Sequence, residues 1–227
     1  TIDAPKIVAN VPVALEALAT EGGSVTALAE TTLGVVPGTE AVLDTVTVKA
    51  GGKVTLTNGV YESATLYLKS GIELHVAQDA VLRGAAKPDA YDDVDDPRIK
   101  KAPELSRKAF IVCLAGENVS ITGEGIVDGQ GPLFYDRNVP SGCHFRKPAR
   151  PRTRMVQFWG CKNVHIAGTT FKDSPGWTFW FRMCEDVDVK GVTIVGDQRM
   201  INNDGLHFDG CRHMRVTDST IKTGDDC

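Results

Sequence analysis

The sequence predicts an all-β fold, a parallel β-helix of short strands wound into stacked coils, with a short helical cap at its N-terminus. Three observations predict it. The first is self-similarity: Cys161-Lys162-Asn163-Val164-His165-Ile166, Cys184-Glu185-Asp186-Val187-Asp188-Val189 and Cys211-Arg212-His213-Met214-Arg215-Val216 begin 23 and then 27 residues apart, and Asn118-Val119-Ser120-Ile121 is a fourth copy without the cysteine. The second is alternation. Each copy alternates apolar and polar residues and is followed by another short run of the same kind, such as Gly191-Val192-Thr193-Ile194. The third is that no helix-length pattern intervenes. A period of about 20 to 30 residues made of strands alone means stacked coils, each burying its inner face against the next. Leucine-rich repeats share the period, but their Leu-x-x-Leu-x-Leu pattern is absent.

Taken in order, residues 1–50 read as a cap. Val13-Ala14-Leu15-Glu16-Ala17-Leu18 has helical spacing and runs into Gly22-Gly23, and Glu40-Ala41-Val42-Leu43 follows Thr39, a residue suited to an N-cap, and ends before Gly51-Gly52. A helical cap would cover the unpaired end of a solenoid. The solenoid then occupies residues 51–227, with early coils at Lys53-Val54-Thr55-Leu56 and Ser70-Gly71-Ile72-Glu73-Leu74-His75-Val76. Asp89, Asp92, Asp93, Asp95 and Asp96, flanked by Pro88 and Pro97, read as an exposed loop without a defined calcium-ligand spacing. The cysteines at 161, 184 and 211 share one repeat position and predict a ladder of small buried side chains close enough for a disulfide; with no Cys-x-x-Cys pair, structural zinc is not expected.

Composition describes one globular unit: 227 residues, 42% apolar and 24% charged, without a run of about 18 apolar residues able to span a membrane. The net charge of −4 excludes a general nucleic-acid binder, which would be basic throughout. Charge is informative locally. Between Asp136 and Asp173 lie eight Lys or Arg residues and no acid, including Arg146, Lys147, Arg150, Arg152 and Arg154 in a Pro-rich insertion that interrupts the repeat. Such an insertion projects as a loop from one face, and its positive charge suits an anionic polymer.

Near the end of the chain stand Asn202-Asn203-Asp204-Gly205 and, 21 residues on from Asp204, Gly224-Asp225-Asp226-Cys227. Positions one coil apart lie side by side, which brings Asp204, Asp225 and Asp226 together. In an ideal strand Asp225 and Asp226 would face opposite ways, so a backbone turn permitted by Gly224 is expected. Crowded carboxylates cannot all ionise easily, and at least one pKa must rise. Glycoside hydrolysis needs that pairing: a carboxylic acid for the leaving oxygen and a carboxylate for water or the sugar. Asn202, Arg152, Arg154 and His207 are the candidate substrate-binding residues around it. His213, at the repeat position shared with Asn163 and Asp186, reads as structural. Among Trp177, Phe179, Trp180 and Phe181, alternation sends Phe179 and Phe181 to one face and Trp180 to the other.

These motifs resemble the polygalacturonase family of pectin-degrading glycoside hydrolases, family 28. Leu68-Lys69-Ser70-Gly71-Ile72, Gly123-Glu124-Gly125-Ile126-Val127-Asp128-Gly129-Gln130-Gly131, Arg150-Pro151-Arg152 and Asp173-Ser174-Pro175-Gly176-Trp177 add to the resemblance. It implies a right-handed parallel β-helix and an inverting hydrolase without metal or other cofactor. It further implies that Asp225 donates the proton, that Asp204 and Asp226 position the water, and that Asn202 shapes the cleft. The implied partner is an anionic polysaccharide, polygalacturonate or rhamnogalacturonan, and the implied setting is export, secreted or periplasmic, as a monomer. Asn203 stands where many relatives have threonine, which leaves the pectic substrate open. The family's Gly-His-Gly and Arg-Ile-Lys motifs would follow Cys227, so the expectation is that residues 1–227 belong to a longer protein. Two other functions remain in view at this level: a non-catalytic polysaccharide-binding β-helix, and a polysaccharide lyase, which would need a stronger base than clustered carboxylates.

Overall fold

Alternation within each repeat becomes parallel pairing between successive coils. The computed structural model describes residues 53–57, 59–94, 107–146 and 152–227, together with the backbone of five strands between residues 7 and 48. Among these residues, parallel sheets of nine, eight and five strands form a right-handed parallel β-helix. The repeats align in register: Val119, Val164, Val187 and Met214 form one column, and Ile121, Ile166, Val189 and Val216 the next. The first three members of each column are buried. Each such side chain contributes about 1.5–3 kcal/mol by leaving water, so the repeat pattern is itself the core.

The cysteines form the expected ladder. Cys161 and Cys184 are buried and Cys211 is half-buried, and all six cysteines are free thiols. Each of the three donates its S–H to a carbonyl of the preceding coil: Cys161 to Cys113 at 3.3 Å, Cys184 to Phe158 at 3.5 Å and Cys211 to Phe181 at 3.3 Å. In the coil before, Gly116 holds the ladder position, and a Cβ there would fall 2.4 Å from Cys113 Sγ. The sulfur of Cys113 thus fills the place of a missing side chain. Its hydrogen bond to Cys161 is the leading cause that pushes the Cys161 thiol up to about 12.

Beside that ladder the aromatic residues separate as alternation requires. Phe158, Phe181 and Phe208 stack at 5.6 and 5.4 Å, with Phe179 and Phe181 both in the core. Trp180 lies on the other face, under the guanidinium groups of Arg154 and Arg182 at 4.3 and 5.5 Å. Asn118, Asn163, Asp186 and His213 all have left-handed backbone, φ 56°, 51°, 54° and 55°, at the same repeat position. They pair in twos, Asn163 Nδ2 to Asn118 Oδ1 at 2.6 Å and His213 Nδ1 with Asp186 Oδ1 at 3.0 Å, which accounts for His213 as a structural residue.

The helices expected near the N-terminus are not formed. Val13–Glu16 and Glu40–Val48 are strands, and Glu40–Val48 pairs in parallel with Gly59–Ser63. The physical reason is that a four-residue apolar run fits a period of 2 as well as 3.6, and an adjoining coil offers a ladder of hydrogen bonds that a short isolated helix lacks. Val46-Thr47-Val48, β-branched and alternating, carried the strand signal. Of the acidic loop, Asp89, Asp92 and Asp93 are exposed, and Asp93 accepts an ion pair from Lys108 at 3.0 Å; Asp95 and Asp96 lie outside the described residues.

The basic insertion does more than project. Its first part folds back onto the segment before Asp204: Phe145 N–H donates to Arg199 C=O at 2.8 Å, and Arg199 covers the Phe145 ring at 4.5 Å while donating to Cys143 C=O. Arg146 pairs with Asp136 on the surface, and Lys147 and Arg150 lie outside the described residues.

Candidate active site

Two loops at the ends of adjacent coils meet here, and backbone hydrogen bonds set their registration. Gly205 N–H donates to Asp226 C=O at 2.8 Å and Leu206 N–H to Cys227 C=O at 3.0 Å, while Thr178 N–H donates to Asp204 C=O at 2.8 Å. In a parallel ladder this offset sets Asp204 level with Asp226, and Asp225 one position back reaches Asn202.

Asn203 and Gly224 lock the two loops. The Asn203 side chain is 1% exposed, and its Oδ1 accepts the Gly224 N–H at 2.8 Å. The backbone bends at Gly224 and Asp225 as anticipated, but without left-handed φ at Gly224. Its lack of a side chain serves close approach instead, since a Cβ would sit 2.1 Å from Met200 O. Gly224→Ala is therefore expected to force the loops apart, at a cost of about 1–3 kcal/mol, seen as a lowered thermal unfolding temperature. Unchanged unfolding would show that the loops are not held this closely.

Asp225 receives three donors. Its Oδ2 accepts both the backbone N–H of Asn202 at 2.9 Å and the side-chain Nδ2–H at 3.1 Å, and its Oδ1 accepts the N–H of Asp226 at 3.1 Å. Asn202 itself has φ 55°, a left-handed conformation that asparagine tolerates and that turns both its donors toward one carboxylate.

Asp204 differs in kind. It is 7% exposed, and its Oδ1 is sealed from solvent without a hydrogen-bond partner. Burial is the leading cause that raises its pKa above the usual carboxylate value, and the charges of Asp225 and Asp226 push the same way, against the lowering influence of its own backbone N–H and of His207. The three aspartates are thus one electrostatic cluster, as their spacing predicted, and Asp204 is its buried member.

The remaining candidates fall into place unequally. His207 stacks on Trp177, ring centroids 4.1 Å apart and planes 8° from parallel. Arg154 is 4% exposed and lies over Trp177 at 5.1 Å and over Trp180. Arg152 turns its donors inward, to Asn202 Oδ1, Tyr135 Oη and the Ile201 carbonyl. Tyr135 was not marked by any sequence motif, yet its buried hydroxyl donates to the carbonyls of Pro175 or Ile201, both at the base of the site. It stands just before the basic insertion, and nothing in the sequence singled it out.

Among the described residues, Glu185, Asp186 and His213 group their ligand atoms within 4.8 Å, but on a different sheet from the aspartates and with Glu185 held by Arg212 at 3.2 Å. No helix of the described residues is long and apolar enough to cross a membrane.

Fold and site together define a parallel β-helix protein with a clustered-aspartate centre at the junction of two coils. Residues 39–227 match the family model of glycosyl hydrolases family 28, and the chain belongs to that family. It is 27% identical over 190 residues to a probable polygalacturonase of Vitis vinifera, covering 79% of this chain and 36% of that protein. To polygalacturonase-2 of Solanum lycopersicum it is 28% identical, over 53% of this chain and 26% of that one. The chain therefore spans well under half the length of these curated relatives. Among solved structures, the family 28 exopolygalacturonase of Yersinia enterocolitica superposes with a TM-score of 0.64 at 19% identity, over 79% of this chain and 39% of that one. The polygalacturonase of Erwinia carotovora gives 0.63 at 22% identity, over 78% and 50%.

Proposed function

We propose that the protein containing this chain is an exported, inverting hydrolase that cleaves glycosidic bonds of a pectic polysaccharide, polygalacturonate or a related anionic polymer. The observation that carries the reading is the buried, partnerless Oδ1 of Asp204 beside two further carboxylates. A carboxyl desolvated in this way and crowded by two others is unfavourable in a resting fold, and such clusters are a mark of acid/base sites.

The roles follow from the contacts. Oδ2 of Asp225 is taken by the two Asn202 donors, so Oδ1, with the single Asp226 N–H, is the oxygen that hands a proton to the leaving glycosidic oxygen. Asp204 and Asp226 position the water that attacks the anomeric carbon from the opposite face, and Asp204 takes its proton. A raised Asp204 pKa moves the acid limb of the rate profile toward higher pH, because the base must first lose its proton. Trp177 and His207 offer a flat stacked platform next to this centre, with Arg154 supplying positive charge behind it. No metal is assigned a role, and the chain is read as a monomer.

The test is product chemistry with the complete protein on polygalacturonate. New reducing ends are expected, insensitive to chelator and without ultraviolet absorbance, and NMR of the first products should show inverted anomeric configuration. An unsaturated, absorbing product that depends on calcium would make the protein a lyase. Binding without cleavage would make it a polysaccharide-binding β-helix.

A further inference from the structure

We infer that Arg152, braced by Tyr135, is a positioning residue for the proton donor: it fixes the amide of Asn202 and through it the carboxyl of Asp225. This deepens the proposed hydrolase reading and rests on it for the identity of the donor.

The argument begins with a choice that Asn202 must make. Its side-chain amide has an acceptor end and a donor end, and only the donor end stabilises the Asp225 carboxyl. A guanidinium can only donate. Arg152 Nη2 meets Asn202 Oδ1 at 3.0 Å, which forces Nδ2 toward Asp225 Oδ2 at 3.1 Å. The same guanidinium donates through Nη1 to the carbonyl of Ile201, the residue just before Asn202. Arg152 therefore grips both the side chain and the entering peptide of a residue with left-handed backbone, φ 55°, and so also aims the Asn202 N–H at Asp225.

Tyr135 holds the other side of the fork. Arg152 donates to its hydroxyl and lies over its ring at 5.5 Å. The hydroxyl in turn is within hydrogen-bond distance of the Pro175 and Ile201 carbonyls, at 2.9 and 2.8 Å. The segment that carries Tyr135 and Arg152 thus reaches three coil segments at once. Nη1 and one N–H of Nη2 go to the protein acceptors Tyr135, Ile201 and Asn202, so most of the guanidinium serves the loop rather than the substrate carboxylate its charge suggested. A lysine would keep the charge but cannot present two parallel donors to Ile201 and Asn202.

The test is a double-mutant cycle in the complete protein: wild type, Arg152→Lys, Asn202→Ala and the pair, with kcat and KM measured on polygalacturonate. If Arg152 acts through Asn202, Arg152→Lys lowers kcat by about 10- to 100-fold with KM nearly unchanged, and costs clearly less in the Asn202→Ala background, where only its grip on the Ile201 carbonyl remains to be lost. A raised KM at unchanged kcat, or losses that multiply, would overturn the inference in favour of direct substrate binding. Tyr135→Phe, which keeps the ring under the guanidinium, should give a smaller loss in kcat, and serves if Arg152→Lys fails to fold. A second readout needs no activity: the side-chain carboxyl carbon of Asp225, followed by NMR against pH, should titrate differently in Arg152→Lys and Asn202→Ala, by a similar amount in each. An unmoved titration refutes the brace; an inactive wild type with a moved titration refutes the hydrolase reading alone.

Discussion

Asp225→Asn is expected to remove hydrolysis of polygalacturonate by a factor on the order of 10²–10⁴ in kcat, because the site loses the only proton it presents to the leaving oxygen. The loss should be chemical. An asparagine carbonyl in the place of Oδ2 can still accept the Asn202 N–H at 2.9 Å and its Nδ2–H at 3.1 Å, so the loop keeps its main tethers. KM and the unfolding temperature should accordingly stay close to those of the wild type, and a fall in kcat and kcat/KM together marks an interaction made in the transition state. The measurement is initial rate of reducing-end release across substrate concentration, with circular dichroism as the check on folding. Wild-type kcat in the variant would take the proton-donor role away from Asp225, and a raised KM with intact kcat would reassign it to binding.

Much of this architecture was legible before any coordinates. Val119, Val164 and Val187 stand in one column because parallel coils pair residue by residue, and that pairing leaves its imprint as a fixed period. The cysteine ladder and the division between Phe181 and Trp180 follow from the same alternation. Where a segment was short, the imprint failed: Val13–Glu16 is too brief to separate the two periodicities, and what decides it is a neighbouring coil rather than its own residues.

In the site, the aspartates were legible because chemistry restricts the residue types that can do acid/base work. The positioning role proposed for Arg152 was not, since a positive charge looks the same whether it meets a substrate or the protein. Its partners include the carbonyl of Ile201 and the hydroxyl of Tyr135, and a backbone carbonyl has no signature in a sequence. The bend at Gly224 was legible, but its second reason, exclusion of a side chain by Met200 O, was not, because a close approach from another loop leaves no mark in the local sequence.

Asp204→Asn should trade activity for stability. The buried Oδ1 has no partner in the fold, and ionising this carboxyl is opposed first by burial and then by the charges of Asp225 and Asp226. A carboxyl whose pKa is higher folded than unfolded binds more protons in the folded state. Its contribution to stability is therefore complete below the unfolded value, about 3.9, and is lost as pH rises through the folded value. Asparagine cannot ionise, so the variant is free of this cost and of the repulsion from Asp225 and Asp226. The variant should match the wild type in strongly acid solution and exceed it near neutrality by about 1 kcal/mol, or about 2–4 °C in Tm. Meanwhile kcat should fall by a factor on the order of 10²–10⁴, since the water loses its base. Melting curves across the pH range, paired with rates, separate these effects. A variant no more stable at neutral pH than the wild type would mean that Asp204 is not held ionised against the fold, and with that the argument from its stranded oxygen to catalysis would lose its footing.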